Sequence, residues 1–396
     1  MQEKHADVRT VHRLTVWKGG TCMYKKRLLV LLLLVFALIG CKEQKNVSGE
    51  PALDSYDRSW KNVYMNGAFI IGSDVVYTGS LTDHRIYYLE KDMNQWRPLC
   101  AKPECSHNTE DCNAYLTTAG IYWDEGYIYY YMGDALWRMK PDGSEHEKIK
   151  RISLPDGVSS TYLIYRGYIY FQLRETTDGG KSWKQEIKRV PLEGNDTELT
   201  DVFGNPGEDQ VQYTDLRCWD DRITAIGIHG EQQSLYMQDL TTGKQRMIAE
   251  NWPPDKIAGY TIDGDLLRYF DLEEGFCTVG LSTGKREVLR SPVERKEAGS
   301  VYYDEDFIYL CNTNPILDKM DLVDEACRGI LFYDLDGNEV DFLSMDGLDM
   351  WLLYAFSTPE RVYLSDYSKM MELNTFYYID KAEIGTGNMQ LKSLDH

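Results

Sequence analysis

From Tyr64 to its C-terminal end, the chain alternates short aromatic runs with polar turns. No long stretch there repeats apolar residues with the 3.6-residue period of a helix. The clearest unit is residues 126–130 (GYIYY), followed by residues 135–139 (ALWRM) and the turn sequence at 141–143 (PDG). Alternation bounded by Asp-Gly, Thr-Gly and Glu-Gly pairs predicts strands joined by tight turns.

This unit recurs seven times. When the aromatic strands are aligned, their last residues fall at positions 77, 129, 170, 224, 267, 309 and 363. A second strand, a turn and a further short strand follow each of them, and one strand precedes it, which makes about four strands per repeat. Repeats of 40–50 residues with four strands are typical of propeller blades, since a ring leaves only short sheet edges. We therefore predict an all-β fold, a β-propeller of about seven four-stranded blades, with six to eight blades compatible with the spacing. Two β-sandwiches are the alternative.

The N-terminal region has the pattern of an export signal. Lys25, Lys26 and Arg27 precede an unbroken apolar run at residues 28–39. The run is shorter than the roughly 20 residues needed to span a bilayer, but it fits the apolar region of a secretory signal. It ends in Leu-Ile-Gly-Cys at Cys41, which resembles the bacterial lipobox, where cleavage precedes a cysteine that then carries lipid. The alternative is a signal anchor with an incidental cysteine.

These features predict the organisation of the chain. Residues 1–22 are interpreted as an upstream over-extension of the reading frame, residues 23–40 as the lipoprotein signal peptide, and residues 41–57 as a polar tether. Residues 58–396 form the propeller. The expected location is the bacterial cell membrane, with the chain anchored through lipid (such as palmitate) on Cys41 and facing outward.

Composition narrows the classes of partner. The 396-residue chain carries a formal net charge of −20 at pH 7. Such a surface repels the phosphates of nucleic acids and anionic lipid headgroups, so no nucleic acid partner is expected. The remaining candidates are a glycan, a peptide or an envelope protein.

The strongest local chemical signal is an insertion at about residues 97–117. It contains Cys100, Cys105, His107 and Cys112 in the spacing C-x4-C-x-H-x4-C. Three cysteines and a histidine can close a tetrahedral shell around a structural zinc ion. In an exported protein the cysteines could equally form one disulfide and leave a third thiol. A catalytic thiol with His107 as its base is the third interpretation.

A second motif lies in the third repeat. Thr176, Asp178, Gly180, Ser182 and Trp183 match the Asp-box, Ser/Thr-x-Asp-x-Gly-x-Ser/Thr-Trp. This eight-residue sequence resembles the structural hairpin of sialidase-type propellers. In that family the motif is structural, so the resemblance implies a turn and does not carry sialidase activity over to this chain.

Two further patterns have a structural and a functional interpretation. The sequence around Asp334, Asp336 and Gly337 resembles a calcium loop but lacks its terminal glutamate, so a hairpin turn is predicted. Trp351, Tyr354 and Phe356 could form a carbohydrate platform, but core packing is preferred.

Over residues 60–394 the repeat is similar to that of bacterial surface lipoproteins with YWTD-like or domain-of-unknown-function propellers. The resemblance implies a ring and little about activity. No P-loop, dinucleotide fingerprint, nucleophile elbow or His-Glu-x-x-His motif is present. We therefore expect a non-catalytic binding or scaffold module. A glycan-active hydrolase or lyase, with carboxylates in the central funnel, is the alternative.

Overall fold

The structure is a computed structural model. It describes residues 69–72, 74–80, 82–118, 120–156, 158–177, 182–203, 211–219, 221–252, 256–290, 299–313, 328–348, 350–369 and 376–394. The predicted signal peptide, Cys41 and the tether lie outside these ranges. Among the described residues, no helix has the length and apolar character required to cross a bilayer.

The described residues form seven antiparallel sheets of four strands each. Blade 1 comprises β1 to β4, blade 2 β5 to β8, and so on to blade 7 with β25 to β28. The strands of blades 1 to 4 are, in order, Phe69–Ile71, Val75–Ser80, Arg85–Glu90, Arg97–Pro98, Ile121–Asp124, Tyr127–Met132, Ala135–Met139, Glu147–Arg151, Val158–Tyr165, Tyr168–Thr177, Ser182–Pro191, Thr200–Asp201, Gln212–Trp219, Arg222–His229, Gln232–Asp239 and Gln245–Ala249. Those of blades 5 to 7 are Ile257–Asp263, Leu266–Asp271, Gly275–Gly280, Arg286–Arg290, Ser300–Tyr303, Ile308–Asn312, Gly329–Tyr333, Glu339–Ser344, Leu352–Ser357, Arg361–Asp366, Phe376–Asp380 and Lys392–Ser393.

The sheets form a ring, so the seven-bladed propeller predicted from the repeat is confirmed. Each blade is a meander of consecutive strands. The aromatic strands that define the repeat are the second strands of the blades. This agrees with the prediction that one strand precedes each of them. First strands of several neighbouring blades contact one another: β1 contacts β5, β5 contacts β9 and β17 contacts β21. Fourth strands form the exposed rim, and β20 is exposed along most of its length.

Antiparallel strand order gives the ring two different ends. Turns between first and second strands lie at the same end as those between third and fourth strands; we call this end the turn face. The turn at Asp334 belongs to it. Asp334 Oδ1 accepts the backbone N–H of Asp336 (3.0 Å) and of Asn338 (2.8 Å). Gly337 has a φ of 83° there. The hairpin interpretation of this sequence is therefore confirmed.

The ring closes by side-chain packing between blades 1 and 7. Blade 7 is built from β25 to β28, and among the described residues no N-terminal strand joins its sheet. Phe69 lies 4.7 Å from Phe356, and Trp96 lies 5.8 Å from Phe376, measured between ring centroids. These rings belong to one buried apolar cluster shared by both blades. Phe356 is thus a core residue, as the pattern predicted.

Candidate functional site

The insertion after β4 is hydrogen-bonded to blade 1 at both ends. The Leu99 N–H bonds the Ile86 carbonyl (3.0 Å) as the chain leaves β4. On return, the Ile86 N–H bonds the Ala114 carbonyl (2.9 Å) and the Leu116 N–H bonds the His84 carbonyl (2.8 Å). Residues 100–113 therefore make an excursion whose two ends lie side by side on β3.

The four predicted ligands meet at the base of this excursion. One ligand atom each from Cys100, Cys105, His107 and Cys112 lies within 4.8 Å of all the others. His107 Nδ1 is 3.4 Å from Cys112 Sγ. Cys100 and Cys112 are buried, whereas Cys105 and His107 are half-buried. The structure thus brings together the complete set of three cysteines and one histidine that the sequence singled out.

Backbone amides surround the two buried thiols. N–H groups of Lys102 and Asn113 point to Cys100, and the Ala114 N–H points to Cys112. Burial raises the pKa of the Cys100 thiol, but these donors and the neighbouring thiols outweigh it and leave the pKa below its usual value. Burial raises the pKa of Cys112 to about 11. The interpretation of one of these cysteines as a catalytic thiol with His107 as its base stays a prediction.

Short turns shape the loop between these residues. The Cys105 N–H bonds the Lys102 carbonyl and the Cys112 N–H bonds the Thr109 carbonyl, both at 3.2 Å. His107 adopts a left-handed backbone with a φ of 55°. Apart from its ligands, residues 101–111 are exposed. The loop therefore has no apolar core of its own.

The base of the loop lies at the boundary between blades 1 and 2. A Cβ added to Gly143, in the blade 2 turn, would lie 2.4 Å from the Leu99 carbonyl oxygen. Cys100, Cys112 and Ala114 belong to the same buried cluster as β6 and β7 of blade 2. The insertion thus covers a seam between two blades.

The other cysteines are scattered. Cys218, Cys277 and Cys311 are buried in three different blades, and none of the six cysteines that the structure describes forms a disulfide. Cys41 and Cys327 lie outside the described residues. Burial raises the pKa of Cys277 to about 11.

The Asp-box occupies the connection between β10 and β11. Thr176 pairs with Trp183 and Thr177 pairs with Ser182 in the antiparallel register. The motif therefore does span a hairpin. Asp178 and Gly180 lie outside the described residues, so the internal bonds of the motif stay a prediction.

A cavity of about 180 Å³ opens on the turn face where blades 1 and 7 meet. Its charged lining consists of five carboxylates and two bases: Asp74, Glu90, Asp92, Glu360, Asp380, Lys91 and Arg361. Sequence reasoning missed this site, because its two halves come from opposite ends of the folded region. No local pattern marks Lys91 and Glu360 as neighbours.

Both bases of the cavity already pair with its carboxylates. Arg361 Nε bonds Asp380 Oδ1 at 3.0 Å, and Lys91 forms an ion pair with Glu360. Burial raises the pKa of Asp380, but Lys392 and Arg361 outweigh it and the net pKa is lowered. The lining is net acidic, and Asp380 is held as a carboxylate.

A second, smaller cavity of about 40 Å³ lies nearby between blades 6 and 7. It borders a network in which the buried Lys381 Nζ bonds Oδ2 of the buried Asp304 (2.9 Å) and Oδ2 of the exposed Asp306 (2.8 Å). Tyr309 donates its hydroxyl to Asp304. Burial raises the pKa of Asp304, but Lys381 and Tyr309 outweigh it and leave the pKa below its ordinary value. This network ties two blades together.

Asp124 is a carboxyl group whose pKa burial raises, to about 6. It ends β5 and accepts the backbone N–H of Gly167 in blade 3 at 3.4 Å. Neither of the two cavities described above includes it. Its role in the structure is to join two turns, and it does not form an acid–base pair with the cavity carboxylates.

Comparison with known proteins supports the fold and no more. No family model and no curated protein matches the chain. A solved prolyl endopeptidase structure is 12% identical over 94% of this chain and 55% of its own, with a TM-score of 0.53; this chain spans about half of that protein. The β-propeller domain of the Trilobed protease from Pyrococcus furiosus is 15% identical. The match covers 58% of this chain and 71% of that domain, with a TM-score of 0.37. Apo AztD from Citrobacter koseri is 9% identical. The match covers 70% of this chain and 87% of AztD, with a TM-score of 0.40. At these identities the likeness concerns architecture, and the chain is structurally a seven-bladed β-propeller.

Proposed function

We propose that the chain is a lipid-anchored, outward-facing binding module that holds a cationic peptide segment of a partner protein at the cavity between blades 1 and 7. The observation that carries this proposal is the cavity itself. It is preformed, and its carboxylates outnumber its bases by five to two. Both bases are paired with carboxylates of the same cavity. Additional positive charge from a partner therefore meets an acidic, partly enclosed surface.

The glycan-active alternative has less support. Glycoside hydrolysis needs a carboxylic acid whose pKa is raised beside an ionised carboxylate. In the cavity, Asp380 has a lowered pKa, and Asp124, whose pKa is raised, lies outside it. Rigid closure of the ring suits a scaffold that presents one fixed surface.

The binding proposal is tested by thermal unfolding of the full chain with a panel of ligands. The panel contains a Lys/Arg-rich peptide, an acidic peptide of equal length and envelope glycans. We expect the basic peptide to raise the Tm, since a ligand at a hundredfold excess over Kd adds about 2.7 kcal/mol of stability. The shift should shrink with added salt.

The double variant Asp92→Asn/Glu360→Gln should remove most of that shift. Glu250→Gln is the matched control, because Glu250 is exposed and follows β16 at the end opposite the turn face. An equal shift in the double variant would place the peptide elsewhere and contradict the proposal. Turnover of a glycan by the wild type would favour the enzyme alternative.

The anchor is tested separately in a bacterial host. Cys41→Ser should abolish incorporation of labelled palmitate and move the chain from the membrane fraction to the soluble fraction. Cys22→Ser is the control, since this cysteine precedes the predicted signal peptide and should leave both readouts unchanged. Labelling that persists in the Cys41 variant would refute lipidation at this residue.

A further inference from the structure

We propose that Cys100, Cys105, His107 and Cys112 bind one structural zinc ion, which fastens the insertion over the boundary between blades 1 and 2. The first reason is geometric. Ligand distances of zinc imply an edge of about 3.5 Å between nitrogen and sulfur and about 3.8 Å between two sulfurs in a tetrahedral shell. His107 Nδ1 lies 3.4 Å from Cys112 Sγ, and all four ligand atoms lie within 4.8 Å of one another.

The second reason is that a zinc ion would use all four potential ligands. A disulfide would join two of the three thiols at about 2.0 Å and leave the third thiol and the imidazole without a role. In the structure the three cysteines are unbonded, and the imidazole completes the group. Three thiolates and one imidazole fill the four positions of zinc, so the metal holds structure and leaves no open position for substrate.

The third reason is the surrounding shell of amides. Cys100 and Cys112 each receive an N–H from the residue two positions further along, Lys102 and Ala114 respectively, and Cys100 receives a further one from Asn113. Donors of this kind stabilise a ligating thiolate and fix its direction. The same local arrangement occurs at both ends of the excursion, although the two cysteines are separated by an exposed loop.

The role of the ion follows from burial. Cys100 and Cys112 belong to the core shared by blades 1 and 2, whereas Cys105 and His107 are half-buried and lie within the otherwise exposed residues 101–111. One metal bound by all four therefore ties a loop without a core to the blade boundary.

The test measures metal content and coordination of the full chain, purified under reducing conditions and loaded with zinc alone. We expect about one zinc ion per chain, and X-ray absorption with about three sulfurs at 2.3 Å and one nitrogen near 2.0 Å. Cobalt in place of zinc should give the ligand-field bands of a tetrahedral thiolate site. Cys100→Ser and Cys112→Ser should lose most of the bound metal.

Two variants separate loss of the site from loss of folding. His107→Cys should keep zinc and exchange the nitrogen for a fourth sulfur, because a set of four cysteines also forms structural zinc sites. Cys277→Ala removes a buried thiol in another blade and should leave the zinc content unchanged. A disulfide between any two of the three cysteines in protein purified with zinc and without reductant would overturn the proposal. Zinc retained by the Cys100 and Cys112 variants would overturn it as well.

Discussion

At the scale of single residues, a few ionic groups of the described residues tie neighbouring blades together. The Asp304–Lys381 pair joins the first turn of blade 6 to the end of β27, and the Asp124 carboxylate reaches the backbone of blade 3. Forming such a pair costs free energy, because both charged groups lose their hydration. Removing one member of the pair, however, leaves the other charge buried without its partner. The same residue types that would signal an acid–base site therefore stabilise the ring.

Asp304→Asn should lower the free energy of unfolding by about 3 kcal/mol at pH 7, because Lys381 loses a buried partner. The pKa of Asp304 is lower in the folded than in the unfolded chain, so its contribution is present above the unfolded value of about 3.9 and is lost as pH falls through the folded value. Urea unfolding of wild type and variant at several pH values measures the difference.

The stability difference between wild type and Asp304→Asn should shrink in acid. Lys285→Met is the control, since its pair with Glu287 is exposed and should change stability by no more than about 0.5 kcal/mol. A difference that grows as pH falls would contradict the assigned role of Asp304.

At the scale of elements, hairpin chemistry explains most of what was predicted correctly. The seven second strands and the turn at Asp334 follow from patterns a few residues long. Gly337 adopts a positive φ that Asp-Gly turns require. The insertion is different, because its ends pair with β3 and its four ligands meet only when those ends are side by side.

At the scale of the whole molecule, the seam between blades 1 and 7 carries both closure and the candidate binding cavity. Aromatic packing joins the two blades there, with Phe69 against Phe356. The cavity lies directly on this seam, so its shape depends on the ring staying closed. Binding and closure should therefore be coupled.

Phe356→Ala should destabilise the chain by about 3–5 kcal/mol, since it empties a fully buried site at the seam. Hydrogen exchange should show lost protection first in β1, β2, β25 and β26. Phe276→Ala, a comparable buried ring between blades 5 and 6, serves as the control. If exchange at the seam rises equally in both variants, closure does not depend on Phe356 in the way we infer.

The sequence by itself determined the all-β class, the repeat of about seven four-stranded blades and the inventory of the cysteine- and histidine-bearing loop. These depend on alternation, turn residues and spacing, which act over a few residues. Tertiary structure decided which donors converge and which blades share a cavity. Lys91 and Glu360 are 269 positions apart and become partners only when the ring closes. Packing of distant strands sets such contacts, and no local pattern encodes them.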